Sequence, residues 1–287
     1  MPPVRIQFAG NLFVDLSHDH FSKFVRPNNS PYLALLGNVG SPFRQRTHEF
    51  LEYCTQRWDR VFWIAGPHEL GYFPSSVSYP SFRVNMDSME EKCQKWQNLS
   101  VLNQTGTTIQ GIQILGITLW TPVTPYRVEG KYNQPEFKYI RKPSSTVTPL
   151  EVAEWHAEDV EFLRCKLNTN TPTVVLSHHL PHPSLLSPSL SVQTWKRNGL
   201  EASNLSFLLK DPCKIWLSGA SGGSSFAVFP KHTLAMVNSM YEYTYTPKNA
   251  KNPAFNPELY AEIDRLPPFD YSVAHGVPPQ QKFNELR

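Results

Sequence analysis

Residues able to do chemistry gather at the ends of apolar runs. Thr173–Leu176 leads into Ser177-His178-His179, and Pro181 and Pro183 follow with His182 between them. Val61–Ala65 runs into Gly66-Pro67-His68-Glu69, and Lys214–Leu217 into Ser218-Gly219-Ala220-Ser221-Gly222. Nearer the start, Val4–Phe8 ends at Gly10-Asn11 and Tyr32–Leu36 at Gly37-Asn38. Imidazoles can ligate metals, move protons or, when charged, bind anions. Consecutive backbone N–H groups in a glycine-rich turn can cradle an anion, although such turns are more often simply bends. A further cluster, Asp15 with His18-Asp19-His20, holds metal-competent groups in a polar loop. With His178, His179 and His182 it could form a ligand set only if the fold brought distant loops together.

What positions these residues is a run of short buried strands. In an open α/β sheet, ligands sit at the carboxyl ends of the strands, so five such ends predict one shared pocket. Between Tyr32–Leu36 and Val61–Ala65, the apolar residues Phe50, Leu51, Cys54 and Trp58 predict a helix over 43–58 and a strand-helix-strand unit. Thr148-Pro149-Leu150-Glu151 is a capping box with proline at the first helical position, opening a helix over 149–167. A shorter helix is expected over 89–96 and another, capped by Ser203, over 203–210. Thr107–Ile109 and Ile112–Leu119 flank a Gln110-Gly111 turn and read as a hairpin. Residues 224–229 and 233–237 alternate enough to form an antiparallel pair. Residues 122–147, rich in Pro, Tyr and Lys, read as an ordered loop or lid.

Composition narrows the class. The 287 residues are 40% hydrophobic and 18% charged, values of a globular chain with room for a full core. A net charge of +3 without a lysine- or arginine-rich block gives no reason to expect nucleic-acid binding. No apolar run approaches the roughly 20 residues of a membrane helix, and MPPVRIQF is not a signal peptide. An intracellular protein is therefore expected, and Asn28, Asn98, Asn103 and Asn204, each in an Asn-x-Ser/Thr triplet, read as polar loop residues. Cys54, Cys93, Cys165 and Cys213 are too dispersed for a zinc knuckle or a disulfide framework. The 26 prolines point to shaped connections and a proline-spaced arm. The expected division is a domain over 1–246 and an arm over 247–287. Between its prolines the arm carries Phe255, Leu259, Tyr260, Ile263, Leu266, Phe269 and Tyr271, anchors for its own domain or for a partner, with a short helix expected over 258–266.

The ordered motifs resemble a known family, the calcineurin-like metallophosphoesterases, over about Val4 to Tyr243. VRIQFAGNLFVD is similar to the family's first motif, YLALLGNVG to its Ala-Gly-Asp-Ile-Gly motif, and VFWIAGPHE to its Gly-Asn-His-Glu motif. LGITLW, FKYIRK, TPLEVAEWHAEDVEFL, VVLSHHLP and KIWLSGASGGSS follow in family order. The resemblance implies an α/β fold, a four-layer α/β/β/α sandwich. It also implies a centre of two divalent metals such as Mn, Fe or Zn, held roughly 3.5–4 Å apart to activate water against a phosphate ester.

Residue by residue, the resemblance places the family's metal ligands at Asn11, Phe13, Asn38, Pro67, His178, Ala220 and Gly222. Of these only His178 keeps a side chain of the family type. Two carboxylates have become neutral amides, and imidazoles have become phenyl, methyl and hydrogen. His68 stands where the family has a histidine that stabilises or protonates phosphate oxygens. The reading is a pseudoenzyme with no bound cofactor, acting as a binding or structural-assembly subunit. It meets a protein partner or itself through the arm, inside the cell or in a larger assembly such as a virion. An active phosphoesterase of altered metal use is the alternative. So is a phosphate or nucleotide sensor using His68, His178, Gly219 and Gly222.

Overall fold

A computed structural model describes residues 3–71, 82–122, 137, 139–143, 145–186, 202–220, 223–230, 232–241, 252 and 254–263. Two sheets organise them. The first has five strands in the order β11-β1-β2-β3-β4: β1 (Val4–Ala9), β2 (Tyr32–Leu36), β3 (Arg60–Ile64), β4 (Leu99–Val101) and β11 (Tyr260–Ile263). The second has six, in the order β5-β6-β7-β8-β10-β9: β5 (Thr105–Ile109), β6 (Ile112–Ile117), β7 (Thr173–Ser177), β8 (Cys213–Ser218), β9 (Ser225–Val228) and β10 (Leu234–Val237). Neighbours are parallel except β11 on β1, β5 on β6 and β9 on β10.

Alternation along the strands divides the core. Ile6, Phe8, Ala34, Leu36, Phe62 and Ile64 of the first sheet meet Ile112, Ile114, Val174, Leu176, Ile215 and Leu217 of the second in one apolar layer between the sheets. The opposite side chains of the first sheet, Leu33, Leu35, Val61 and Trp63, pack with Phe50, Leu51 and Cys54 of α1 (Gln45–Thr55). Met86 and Met89 join them. Those of the second, Leu115, Ile117, Val175 and Trp216, pack with Leu163. Strands buried on both faces read as continuous apolar runs, which is how VFWI and TVVL appear in the sequence.

The expected unit β2-α1-β3 is present, and α2 (Pro67–Gly71) follows β3 as a short buried turn of helix. The helix expected over 89–96 is longer, α3 (Phe82–Gln94). The helix expected over 149–167 is α4 (Pro149–Lys166), and both halves of its capping box are made between Thr148 and Glu151. The hairpin turns at Gln110 and Gly111, both at positive φ, as a two-residue turn between twisted strands requires.

Two expectations fail. Residues 203–210 make turns rather than a helix, with Leu208 N–H bonded to Leu205 O and Leu209 N–H to Ser206 O. Leu205, Leu208 and Leu209 enter the core of the second sheet at a spacing that also suits one helical face, which is why the residues read as a helix; the N–H groups of Ser203 and Leu205 instead bond Leu180 O and Pro181 O. The helix expected over 258–266 is instead the strand β11 as far as Ile263. Leu259, Ala261 and Ile263 alternate into the inter-sheet layer and the open edge of β1 supplies the ladder, so period two prevails over nine ambiguous residues. Leu266 and most of the loop expected over 122–147 lie outside the described residues.

Candidate functional site

The carboxyl ends of both sheets interlock. Asn11 N–H bonds Gly37 O, Phe13 N–H bonds Asn38 O, Gly10 N–H bonds Asn238 O, and Ala220 N–H bonds His178 O. Approach is close enough that a Cβ on Gly219 would stand 2.0 Å from Leu36 O, so only glycine fits there. Gly37, at φ +79°, lies against the His178 ring, where a Cβ would meet Nδ1 at 2.4 Å. Asn11, Phe13 and Asn38 all sit in the left-handed region. That is tolerable for asparagine but strained for phenylalanine, and such strain clusters at functional sites.

At the centre is a buried chain of amides. Asn38 Nδ2 donates to Asn11 Oδ1 at 3.0 Å, and Asn11 Nδ2 donates to Ser239 Oγ at 2.9 Å. The remaining Asn38 oxygen accepts from His68 N–H at 2.8 Å. Ser239 Oγ passes the chain on to Tyr241 O, and Asn252 Nδ2 donates to Ser239 O. Beside it, the Glu69 carboxylate is fully buried and accepts from the N–H groups of Asn38, Val39, Gly40 and Gly66 at 2.6–3.2 Å. Burial pushes its pKa up, partly offset by the charge of His68 and those N–H groups. Glu69 thus staples the turn after β2 to the turn after β3.

His68 Nε2 lies 3.0 Å from Asp15 Oδ1, and both side chains are inaccessible to solvent. Burial works to raise the Asp15 pKa, but the charge and hydrogen bond of His68 and the N–H of Ser41 outweigh it and hold it below the usual value. Burial likewise works against a charged His68, yet Asp15 and the charge of Glu69 outweigh it and raise the imidazole pKa. The pair is an internal ion pair whose positive end is already neutralised. Phe13 closes the space beside it, its ring edge-on to His68 at 5.1 Å and to Tyr241 at 6.3 Å.

His178 is fully buried, with Nδ1 2.9 Å from Leu36 O. A carbonyl only accepts, so Nδ1 carries the proton and Nε2 is a bare lone pair. Nε2 has no hydrogen-bond partner among the described residues. Burial lowers this imidazole to about 4, and burial and the neighbouring His178 put His179 well below its ordinary value, so both rings are neutral at pH 7. His179 packs against Trp120, whose N–H donates to Asp159.

The other expected site residues lie elsewhere. His20 accepts from Ser22 N–H and caps a short 3-10 turn, Asp19 pairs with Lys23, and His182 caps a second turn and meets Phe229 edge-on. Asp15 is committed to His68. Among the described residues no group of three or more His, Cys, Asp or Glu is placed to hold a metal ion. Gly222 lies outside the described residues. The N–H groups of Gly219 and Ala220 are both turned to His178 O, at 3.2 and 2.8 Å, rather than outward to an anion. Asn238 and Ser239 escaped the sequence reading. The signal was there, since β10 also ends in a polar pair, a sixth strand end of the same design.

The residues do not fit a two-metal centre. The amides at 11 and 38 carry no charge, Asn38 donating to Asn11 and Asn11 to Ser239. A phenyl ring, a proline and a methyl offer no ligand atom, and His178 Nε2 alone retains a ligand's aspect.

No protein-family model matches the chain. A curated relative, the uncharacterised protein L509 of Acanthamoeba polyphaga mimivirus, is 26% identical over 258 residues, covering 84% of this chain and 86% of its own. Among solved structures, the phosphopantetheinyl hydrolase of Mycobacterium tuberculosis is similar with a TM-score of 0.60 at 13% identity, over 94% of this chain and 99% of that one. A dimetal phosphatase from Danio rerio gives 0.44 at 9% identity, over 83% and 88%. With its two parallel-rich sheets and this structural likeness, the chain has the calcineurin-like metallophosphoesterase fold.

Proposed function

We propose that this chain is a non-hydrolytic protein of that fold, kept as a binding or structural-assembly subunit for a protein partner. The observation that carries the reading is the hydrogen bond from Asn38 to Asn11, continued to Ser239. Where two cations would need carboxylates, two neutral side chains satisfy each other inside the protein. A hydrolase of this kind draws its nucleophile from metal-bound water, whose pKa falls from about 15.7 to about 7. Neither neutral histidine offers a substitute, and the ion-paired His68 has its charge balanced by Asp15. A relative encoded by a giant virus is in keeping with a protein that works inside a cell or within a virion.

The test combines elemental analysis of the dialysed protein with phosphomonoester and phosphodiester assays, with and without added manganese. No stoichiometric Mn, Fe or Zn and no turnover above background are expected. Metal-dependent turnover abolished by His178→Ala would instead establish an active phosphoesterase with an altered metal site.

A further inference from the structure

The two sheets differ in width. β11 ends the five-stranded sheet and packs against β8 of the six-stranded one, so β10 and β9 continue past it. In register, Phe226 stands opposite Met236 and Val228 opposite Leu234. Residues directly opposite in an antiparallel pair share a face. Met236 and Leu234 belong to the inter-sheet layer, whereas Ala227 packs on the other face, with the cluster of Trp216 and Leu163. Phe226 and Val228 therefore extend the inter-sheet core onto β9, yet they are 39% and 50% exposed. The strand Ser225–Val228 carries none of the charges or prolines that guard an edge.

The chain itself supplies a fitting cover. β11 runs antiparallel to β1, with Ile263 opposite Val4, so the described chain ends at the rim of the narrower sheet, where its cover of the wider one ends, and residues 264–287 follow in sequence. Within them FDYSVAHGV sets Phe269, Tyr271, Val273, His275 and Val277 at every second position, with Asp270, Ser272, Ala274 and Gly276 between, and Pro267-Pro268 and Pro278-Pro279 on either side. Period two with one side apolar at Phe269, Tyr271, Val273 and Val277 is the pattern of a half-buried strand. Residues 264–268 suffice for a hairpin connection to a neighbouring position about 4.8 Å away.

We propose that the uncovered face of β9 is the docking surface of the chain's own segment Phe269–Val277. The segment adds beside β11 as a further strand of the narrower sheet and lays Phe269, Tyr271 and Val273 over Phe226 and Val228. The inference rests on sheet width and chain exit and is independent of whether the protein hydrolyses anything.

The experiment uses the full chain in a Cys165→Ser background, which removes the exposed thiol. Val228→Cys is combined with Tyr271→Cys or with Val273→Cys and mildly oxidised. A disulfide within a single chain, mapped by mass spectrometry, is expected for at least one pair. Disulfide-linked dimers would give the face to a second copy, and no crosslink from either pair would leave it to another occupant; both outcomes overturn the proposal. Hydrogen exchange on uncrosslinked full chains supplies a second readout. Tyr271→Asp with Val273→Asp should speed exchange of the Phe226–Val228 amides by roughly tenfold or more, while Ser272→Asp with Ala274→Asp should not. Equal exchange in the two double variants would overturn the assignment.

Discussion

Asn38 donates its side-chain amide to the side-chain oxygen of Asn11 across 3.0 Å, with both side chains fully buried. The bond needs a donor at position 38. Asn38→Asp sets a carboxylate oxygen against the Asn11 oxygen and should cost about 2–4 kcal/mol at pH 7, read as a lower urea midpoint. Part of the loss should return below about pH 4, where the new carboxyl is protonated. A midpoint unchanged at pH 7 would mean that the amide pair contributes nothing to the fold.

Phe13 fills space beside His68 and Tyr241 and is 8% exposed. Phe13→His introduces the residue type that the resemblance implies at this position but exchanges buried apolar area for a polar ring. It should destabilise by roughly 1.5–3 kcal/mol. The melting temperature of the unaltered protein should be indifferent to EDTA. A melt that falls in chelator, or a variant as stable as the parent, would show that the site is not filled by protein.

Glu69 accepts from four backbone N–H groups, those of Asn38, Val39, Gly40 and Gly66. Glu69→Gln keeps the shape but turns an NH2 group toward buried donors and removes the charge. The expected loss is about 2–3 kcal/mol, with faster hydrogen exchange at residues 38–40. Unchanged exchange there would mean that the staple between the two turns is held by other contacts.

Asp159 on α4 is 2% exposed, and burial raises its carboxyl to about 6, against the opposing hydrogen bonds of Gln104 and Trp120. A carboxyl whose pKa is raised on folding favours the folded state when protonated. That contribution is fully present below the unfolded value of 3.8 and is lost as pH rises through about 6. Asp159→Asn, which stays neutral, should therefore gain on the parent between pH 4 and pH 8 by on the order of 3 kcal/mol. Denaturant titrations at the two pH values provide the check, and a constant difference between the proteins would contradict the assignment.

Much of the fold was legible in the residues because its determinants are local. The capping box at Thr148 and Glu151 needs only four consecutive residues, and the Gln110-Gly111 turn only two. Buried strands announce themselves as unbroken apolar runs, and glycines, asparagines and histidines mark where they stop. That positions 11, 13, 38, 67, 220 and 222 carry Asn, Phe, Asn, Pro, Ala and Gly is likewise a property of the residues themselves, which folding cannot alter.

Tertiary structure decided which polar groups satisfy one another. Asp15 and His68 are 53 positions apart, and Asn11 and Ser239 are 228 apart. Nothing in local spacing pairs them; the sheet order does, by bringing the ends of β1, β2, β3 and β10 to one place. Tertiary structure also decided that Tyr260–Ile263 is a strand. Over a few residues helical and extended periods are both admissible, and the choice went to the element with an unpaired edge and an apolar layer beside it. The sequence by itself determined which side chains are available for chemistry. The fold determined that amides, a buried ion pair and a phenyl ring meet where those chemistries would have to act, because burial requires each polar group to find its partner among whatever the topology brings near.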